Sequence, residues 1–251
     1  MKFFVAAFFS FFIGLYGFAQ DLNALIQEAD RLEAIPDEKA ALLKLKEALK
    51  IQPSNLYALT KASELCCRIG GREKTNPKIR DEYYAVAGYY ARTALRLYPE
   101  SDLANVAMAL AIGRTILLKS GREKVSSVKE LKDYADKAVK LNPQNFKAWH
   151  ILGKWNYEVS NLNAFERAFA KILYGGIPPG SLQNSIACYE KAKSLNPSFA
   201  LNYLELSKAY HRNGQDRKAL EQLHYLLTLK NQTEDDPRIK TEAQALIKLL
   251  E

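Results

Sequence analysis

Histidine and cysteine are the residue types in this chain that could hold a metal ion or act as a nucleophile. The three histidines stand far apart from one another and from the cysteines, at His150, His211 and His224. These spacings form no zinc pattern. The three cysteines, Cys66, Cys67 and Cys188, all lie in apolar stretches, and we expect them to be small buried core residues rather than redox or metal groups. The sequence therefore predicts no metal site.

Catalytic motifs are also missing from the sequence. There is no Gly-x-Ser-x-Gly elbow, no His-Glu-x-x-His helix and no glycine-rich dinucleotide fingerprint. Residues 70–75 contain Gly-Arg-Glu-Lys-Thr, but Glu73 precedes the lysine and the upstream glycine spacing of a phosphate loop is absent. We interpret this segment as a helix stop with solvated charges, and the acid pair Asp235-Asp236 as a turn. The sequence predicts neither an enzyme nor a cofactor.

The basic and aromatic side chains are the remaining candidates for a function, and the function they could serve is ligand binding rather than catalysis. Guanidinium and ammonium groups bind carboxylates and phosphates through charge-assisted hydrogen bonds, and aromatic rings add contact area. The chain has 36 Lys plus Arg against 28 Asp plus Glu. The candidates of this kind are Arg68, Arg114, His150, Lys154, Tyr157, Lys208, His211 and Arg212.

A repeated phrase indicates which elements hold these residues. Alanine stands five residues before proline four times, at Ala48 and Pro53, Ala94 and Pro99, Ala138 and Pro143, and Ala192 and Pro197. A small residue lets two helices approach closely, and proline ends a helix because it lacks a backbone donor and clashes with the preceding turn. This phrase is typical of tetratricopeptide repeats. It predicts an all-α, right-handed solenoid of helical hairpins.

The regular spacing of the prolines that close the repeats predicts a single continuous domain, residues 20–251. The predicted repeats are 22–55, 56–101, 102–145, 146–199 and 200–233, followed by a capping helix in 235–251. Repeats two to four carry insertions between their two helices. The insertion in repeat four has an apolar helical stripe, formed by Phe165, Phe169, Ile172 and Leu173. This stripe could pack on the solenoid, or serve as a lid or a lipid-touching element.

The first helices of stacked hairpins line a concave groove, so their recurring residues select a partner. The register places Arg68, Arg114 and Arg212 at one level. The other candidates occupy neighbouring levels, at His150, Lys154, Tyr157, Lys208 and His211. Such a row predicts an acidic peptide, a carboxyl terminus or a lipid phosphate as ligand, while the alternative is an open surface of solvated charges.

The N-terminal residues predict a secretory signal over residues 1–19. Lys2 precedes the apolar run of residues 3–16, and Gly17 and Ala19 are small residues at the positions that signal peptidase recognises. The alternative is a retained membrane anchor. We expect cleavage before Gln20 and a soluble, periplasmic or secreted protein. Nucleic acid is not expected as a partner, because the basic residues form no run or recognised motif and an exported protein meets little of it.

Several stretches are similar to the regulator of microtubule dynamics family of tetratricopeptide proteins. They are residues 142–157, with Gly153-Lys154-Trp155-Asn156-Tyr157, and the segments 170–173, 178–181 and 233–236. The resemblance implies a non-catalytic adaptor. Animal members are described as microtubule-associated or as organelle tethers, and the helical domain of some holds phospholipid. We expect an exported, bacterial relative, which would meet no microtubules.

The resemblance also implies a second possible function, the binding or transfer of a phospholipid or another amphiphile. By this analogy Trp155, Tyr157, Phe165 and Phe169 would border an apolar cavity, although ordinary hairpin packing explains these aromatic residues as well. The principal hypothesis is a scaffold with an open polar groove for a protein or peptide of acidic character. The sequence leaves the oligomeric state open.

Overall fold

The computed structural model describes residues 21–251, so the expected signal at residues 1–19 lies outside the described part. Residues 21–34 form helix α1. The helices that follow are α2 Glu38–Ile51, α3 Leu56–Arg72, α4 Pro77–Leu97, α5 Asp102–Thr115, α6 Gly121–Leu141, α7 Phe146–Ser160, α8 Ala164–Tyr174, α9 Leu182–Leu195, α10 Ala200–Arg212, α11 Asp216–Thr228 and α12 Asp236–Leu250. The described chain contains no strand, which confirms the all-α prediction.

The helices pack in pairs as hairpins, with α8 inserted between the two helices of the fourth pair, and each hairpin stacks on the next. The helix pairs are α1 with α2, α3 with α4, α5 with α6, α7 with α9, and α10 with α11. Helix α12 covers the last pair through Ile239, Ala243 and Ile247, which are buried against α10 and α11. Of the residues from 21 onward, no helix is long and apolar enough to cross a membrane.

The proline phrase explains where the hairpins join. Each of its four alanines, Ala48, Ala94, Ala138 and Ala192, is fully buried. Two residues after the proline, a polar side chain caps the next helix in three of the four cases: Asn55, Ser101 and Asn145 each accept a hydrogen bond from a backbone amide of the first turn. These caps satisfy donors that have no partner within the helix. The local sequence thus both ends one hairpin and starts the next.

Repeats two and three use their extra residues to lengthen helices. Helices α4 and α6 have 21 residues each, against 14 in α2 and 13 in α11. The sequence Gly-Arg-Glu-Lys occurs at residues 71–74 and again at 121–124. The two copies occupy different places in their hairpins, because Arg72 ends α3 whereas Gly121 begins α6 after the short 3-10 helix Ile116–Leu118. Repeat four differs from both, since its extra residues form the separate helix α8.

Close packing in repeat four depends on a glycine. The buried ring of Tyr189 on α9 lies over Gly153 on α7, where an added Cβ would approach the ring to 2.6 Å. Because no side chain tolerates so short a contact, only glycine allows α7 and α9 to pack at this distance. The hairpin that carries His150, Lys154, Trp155 and Tyr157 is therefore tightly fixed.

Candidate functional site

The first helices of the hairpins form one continuous face, which we call the concave face. Helices α3, α5, α7 and α10 are successive neighbours on it. Lys147 of α7 reaches past α5 to form an ion pair with Glu64 of α3. Side chains from non-adjacent hairpins meet only when the stack curves inward, so these helices lie on the inside of the curve.

Arg68 lies on this face but is enclosed by carboxylates. Its guanidinium lies 2.6 Å from Glu33, 3.0 Å from Glu38 and 3.1 Å from Glu64. The side chain is only 14% exposed. The structure thus surrounds Arg68 with three anions from three helices, and its charge is neutralised within the chain.

Glu64 shows how strongly this cluster is coupled. Burial by itself would raise the pKa of its carboxyl, but the neighbouring cations Lys147, Arg68 and Lys61 outweigh burial and hold the pKa at about 2. The carboxylate therefore stays ionised at any physiological pH. The cluster is a set of matched internal charges rather than an open basic patch.

Lys154 and Lys208 share a second carboxylate in the same way. Glu205 of α10 is 7% exposed and lies 2.8 Å from the Lys154 ammonium and 3.0 Å from that of Lys208. Burial alone would raise the pKa of Glu205, but Lys154 and Lys208 lower it. Lys208 also contacts Glu242 of the capping helix at 2.7 Å. Both lysines connect helices of the solenoid.

Arg212 of α10 contacts Tyr157 of α7 and thereby links the two helices. Arg212 donates to the Tyr157 carbonyl oxygen at 2.9 Å and to the hydroxyl of Ser160. Its guanidinium also lies 4.2 Å from the centre of the Tyr157 ring, and Lys154 approaches that ring at 5.5 Å. Arg212 satisfies carbonyl and hydroxyl groups near the end of α7, where helix carbonyls have no partner within the helix.

Arg114 differs from the other two arginines of the predicted row. It is half-buried on α5, and no carboxylate of residues 21–251 lies within ion-pair distance of its guanidinium. Its neighbours are uncharged: an added Cβ on Gly71 would lie 3.5 Å from Nη1, and Arg114 is near enough to the thiol of Cys67 to influence its pKa. Burial raises the pKa of that thiol to about 12 although Arg114 opposes the shift, so Cys67 does not supply a counter-ion. The positive charge of Arg114 has no anionic partner in the described chain.

The two candidate histidines have internal partners. His150 is buried, with Nδ1 2.9 Å from Oδ1 of Asn202 and its ring between Phe199 and Tyr189. Burial lowers the pKa of His150, so the imidazole is neutral at pH 7. His211 is exposed, and its Nδ1 lies 2.7 Å from Asp216 across the turn between α10 and α11.

The aromatic candidates do not surround one cavity. Trp155 is buried, and its indole N–H donates to the Val128 carbonyl oxygen at 2.9 Å. Phe165 and Phe169 stack on the outer surface of α8 and are 77% and 48% exposed. Two clefts of about 300 and 290 Å³ lie beside the insertion. Neither cleft is lined by Trp155, Tyr157, Phe165 or Phe169.

One group of interacting residues was missed by the sequence analysis. Arg72 lies 2.7 Å from Glu38, 3.0 Å from Glu234 and 3.3 Å from Asp235, so it joins the first two hairpins to the segment before the cap. The backbone N–H of Glu38 also donates to Glu234 at 2.8 Å. The interpretation of Arg72 as a solvated charge was wrong: the side chain is 21% exposed. We call these four residues the end clasp.

Within the acid pair, Asp235 belongs to the end clasp and Asp236 performs the turn role that its position suggested. Asp236 accepts hydrogen bonds from the backbone amides of Gln232 and Thr233 and from the Thr233 hydroxyl. Between residues 21 and 251 no group of three or more His, Cys, Asp or Glu side chains is arranged to hold a metal ion. The cysteine thiols are unpaired, with Cys66 and Cys67 buried and Cys188 partly buried.

Comparisons with known proteins agree with this architecture. A family model described as Regulator of microtubule dynamics protein 1-3 matches residues 25–251. Regulator of microtubule dynamics protein 1 of Caenorhabditis elegans is 28% identical over 158 residues, which cover 63% of this chain and 70% of that protein. Protein 1 of Bos taurus is 26% identical over 230 residues, which cover 91% and 72% respectively.

A solved structure shows the same fold. TTC0263, a thermophilic TPR protein of Thermus thermophilus, has a TM-score of 0.65 with 16% sequence identity, covering 90% of this chain and 99% of that chain. At this level of identity the likeness shows the tetratricopeptide solenoid and no more.

Proposed function

Because the chain belongs to the Regulator of microtubule dynamics protein 1-3 family and folds as a tetratricopeptide-type solenoid, we propose that it is a non-catalytic adaptor. It binds a protein or peptide partner on the concave face, and Arg114 receives an acidic group of that partner. The observation that carries the proposal is the unmatched charge of Arg114, in a face where the neighbouring cations are paired with carboxylates or tied to carbonyls.

Electrostatics favour Arg114 over the other candidates. A ligand carboxylate that approached Arg68 would have to displace Glu33, Glu38 or Glu64, which are already within 3.1 Å of the guanidinium. No carboxylate of residues 21–251 lies within ion-pair distance of Arg114, so an acidic ligand would have no internal anion to displace there, and the partly buried setting strengthens the resulting charge-assisted bond. The row of arginines expected from the sequence therefore reduces to one anchoring position.

The surroundings of Arg114 would also make recognition selective. The flanking clusters around Arg68 and Glu205 contain both charges in fixed positions. A highly charged ligand of either sign would meet repulsion from part of these clusters, whereas one acidic group placed over Arg114 would not. The proposal is thus for a segment with a single, well-placed carboxylate rather than a polyanion.

Matched peptides test this proposal. An array pairs short peptides that contain Asp or Glu with otherwise identical peptides that contain Asn or Gln. Wild-type protein should retain members of the acidic set in preference to their amide counterparts, and Arg114→Glu should lose that preference. Arg96→Glu is the control, because it makes the same charge change at an exposed position on the outer helix α4. An acid preference that survives in Arg114→Glu would contradict the assignment.

Export belongs to the same proposal. A mature chain that begins at Gln20 would place the adaptor in an exported compartment and away from microtubules, which the relatives' name refers to. Mass spectrometry of the protein from its own host tests this, since the intact N-terminus would contradict cleavage. The phospholipid alternative remains a prediction. Organic extraction and mass spectrometry of several preparations would support it by finding a co-purified lipid and refute it by finding none.

A further inference from the structure

The end clasp closes the solenoid into a ring. Along the concave face, α3, α5, α7 and α10 are successive neighbours, and α12 packs on α10. Arg72 ends α3, and its contacts to Glu234 and Asp235 reach the segment directly before α12. The two ends of the solenoid are thus joined to each other directly, as well as through the helices between them. A segment that is anchored at both ends in a folded partner cannot thread a closed ring, so it needs an opening in the ring.

The contacts that close the ring are polar. Neighbouring hairpins share apolar clusters, but the two ends have separate ones, formed by residues between 22 and 111 and between 200 and 250. The clasp itself consists of the ion pairs of Arg72, at 2.7 to 3.3 Å, and the hydrogen bond from the Glu38 amide to Glu234. Ion pairs with partly exposed side chains contribute less than a shared apolar core and are weakened by salt. The ring is therefore weakest at the clasp.

The carboxylates of the clasp have other partners when it opens. Glu38 lies 3.0 Å from Arg68, and Asp235 lies 3.6 Å from Arg238. Glu234 is 31% exposed and can be hydrated. The arginine of the clasp lies in the last turn of α3, where the helix dipole favours a positive charge. Because opening leaves no carboxylate buried without a cation or water, a form with the clasp broken is accessible from the closed form.

The end of α3 that carries the clasp also lies beside Arg114. A Cβ on Gly71, the residue before Arg72, would be 3.5 Å from Nη1 of Arg114. Arg68, one helical turn before Arg72, lies on the concave face and shares Glu38 with it. The clasp is thus at the border of the surface that would receive an acidic group.

From these observations we propose that the end clasp is an autoinhibitory latch. In the closed form the segment Glu234-Asp235 occupies Arg72, and the ring excludes a folded partner from the concave face. In the open form the ends separate, and an acidic group of the partner reaches Arg114. We take the nature of the partner from the proposed function, on which this inference rests, whereas the latch itself does not depend on it. Since such a partner binds the open form, its apparent affinity is reduced by the fraction of protein that is closed.

Distances between spin labels on the full chain test whether the clasp opens. Lys39→Cys and Gln244→Cys place labels on exposed positions of α2 and α12, on the two sides of the clasp. Arg217→Cys with Gln244→Cys is the reference pair, because both positions lie on the same side. The partly buried Cys188 is replaced by alanine. At low salt the pair across the clasp should give mainly one short distance, and about 1 M salt should add a longer one.

Arg72→Ala should shift this pair to the longer distance already at low salt, while the reference pair keeps its distance. Arg238→Ala is the matched control. It makes the same charge change and also removes a contact to Asp235, but its other contact is to Glu242 of the same helix, so the wild-type distance should remain. An unchanged distance across the clasp in Arg72→Ala would overturn the proposal. If that variant does not fold, the salt series decides, and a single distance at every salt concentration would overturn it.

Calorimetry tests whether the latch is autoinhibitory. The strongest acidic peptide from the array is inserted in a surface loop of a folded carrier protein, so that it cannot thread the ring. Arg72→Ala should bind this carrier about tenfold more tightly than wild type does, and Arg238→Ala should bind it as wild type does. Equal affinity of wild type and Arg72→Ala would overturn the autoinhibitory role, even with longer distances in the variant. If neither protein binds the free peptide, the proposed function fails instead, and the distances still decide whether the clasp is a latch.

Discussion

Removal of Arg72 tests whether the end clasp holds the two ends of the solenoid together. Arg72→Ala deletes the contacts to Glu38, Glu234 and Asp235, which span almost the whole described chain. Glu38 is the first residue of α2, and its amide, which has no partner within the helix, donates to Glu234. The substitution should therefore weaken both the ion pairs and this cap-like hydrogen bond.

The expected loss of stability follows from what each carboxylate retains. Breaking a buried ion pair by removing one partner costs about 3–5 kcal/mol. Glu38 is fully buried but keeps Arg68 at 3.0 Å, whereas Glu234 is 31% exposed and can be hydrated. We therefore expect a decrease in the free energy of unfolding of about 2–3 kcal/mol, which for a chain of this size lowers the melting temperature by roughly 4–12 °C.

Denaturant unfolding and amide hydrogen exchange together provide the assay. Hydrogen exchange at the Glu38 backbone amide should accelerate in Arg72→Ala, because Glu234, which accepts the hydrogen bond from this amide, is no longer held by Arg72. Arg31→Ala is the control: it breaks an ion pair to Glu28 of 2.7 Å whose side chains are 58% and 39% exposed, and such surface pairs contribute about 1 kcal/mol or less. The end clasp would not hold the two ends together if Arg72→Ala were no more destabilising than Arg31→Ala and the Glu38 amide exchanged at the wild-type rate.

Three further predictions concern packing, pH and thiol chemistry. Gly153→Ala should destabilise the folded protein by about 1–3 kcal/mol, because its Cβ would lie 2.6 Å from the Tyr189 ring. Gly113→Ala is the control, because its Cβ would lie 3.4 Å from a flexible Leu131 methyl group. In thermal melts it should stabilise the protein by about 0.5–1 kcal/mol. The pKa of Glu64 is about 2 in the folded state against 4.5 in the unfolded chain. Its contribution to the free energy of unfolding is therefore complete above about pH 4.5 and is lost as the pH falls towards 2. Glu64→Gln should flatten the curve of stability against pH between these values, and an unchanged curve would show that Glu64 is not stabilised by the cations around it. Burial raises the pKa of Cys66 and Cys67 to about 12, so neither should react with an alkylating reagent at neutral pH until the protein unfolds, and rapid labelling of the folded protein would show that the hairpins open.

The repeat architecture was predictable because its signals are local. An alanine that permits close helix packing, a proline that ends a helix and a capping Asn or Ser two residues later all act within about ten residues. The amphipathic pattern of the fourth insertion likewise predicted a helix, which the structure has at Ala164–Tyr174.

The candidate site was less predictable because it depends on which groups face each other. The register placed Arg68, Arg114 and Arg212 on equivalent helix positions, but it could not show that Glu33 and Glu38 approach Arg68 from other helices. The end clasp was even harder to predict from the sequence, because Glu38 and Glu234 are 196 residues apart. The pattern of α8 also could not show whether its apolar side faces the solenoid or solvent, because amphipathicity is the same in either case.

A charge-swap titration tests most directly the central claim that Arg114 receives an acidic group. The strongest acidic peptide from the array, and a version with lysine in place of its acid, are titrated by calorimetry into wild type, Arg114→Glu and Arg96→Glu. We expect Arg114→Glu to weaken binding of the acidic peptide by about tenfold or more. The lysine peptide should restore binding to Arg114→Glu alone, and Arg96→Glu should behave as wild type. Equal affinity of wild type and Arg114→Glu for the acidic peptide, with no rescue by the lysine peptide, would contradict the claim.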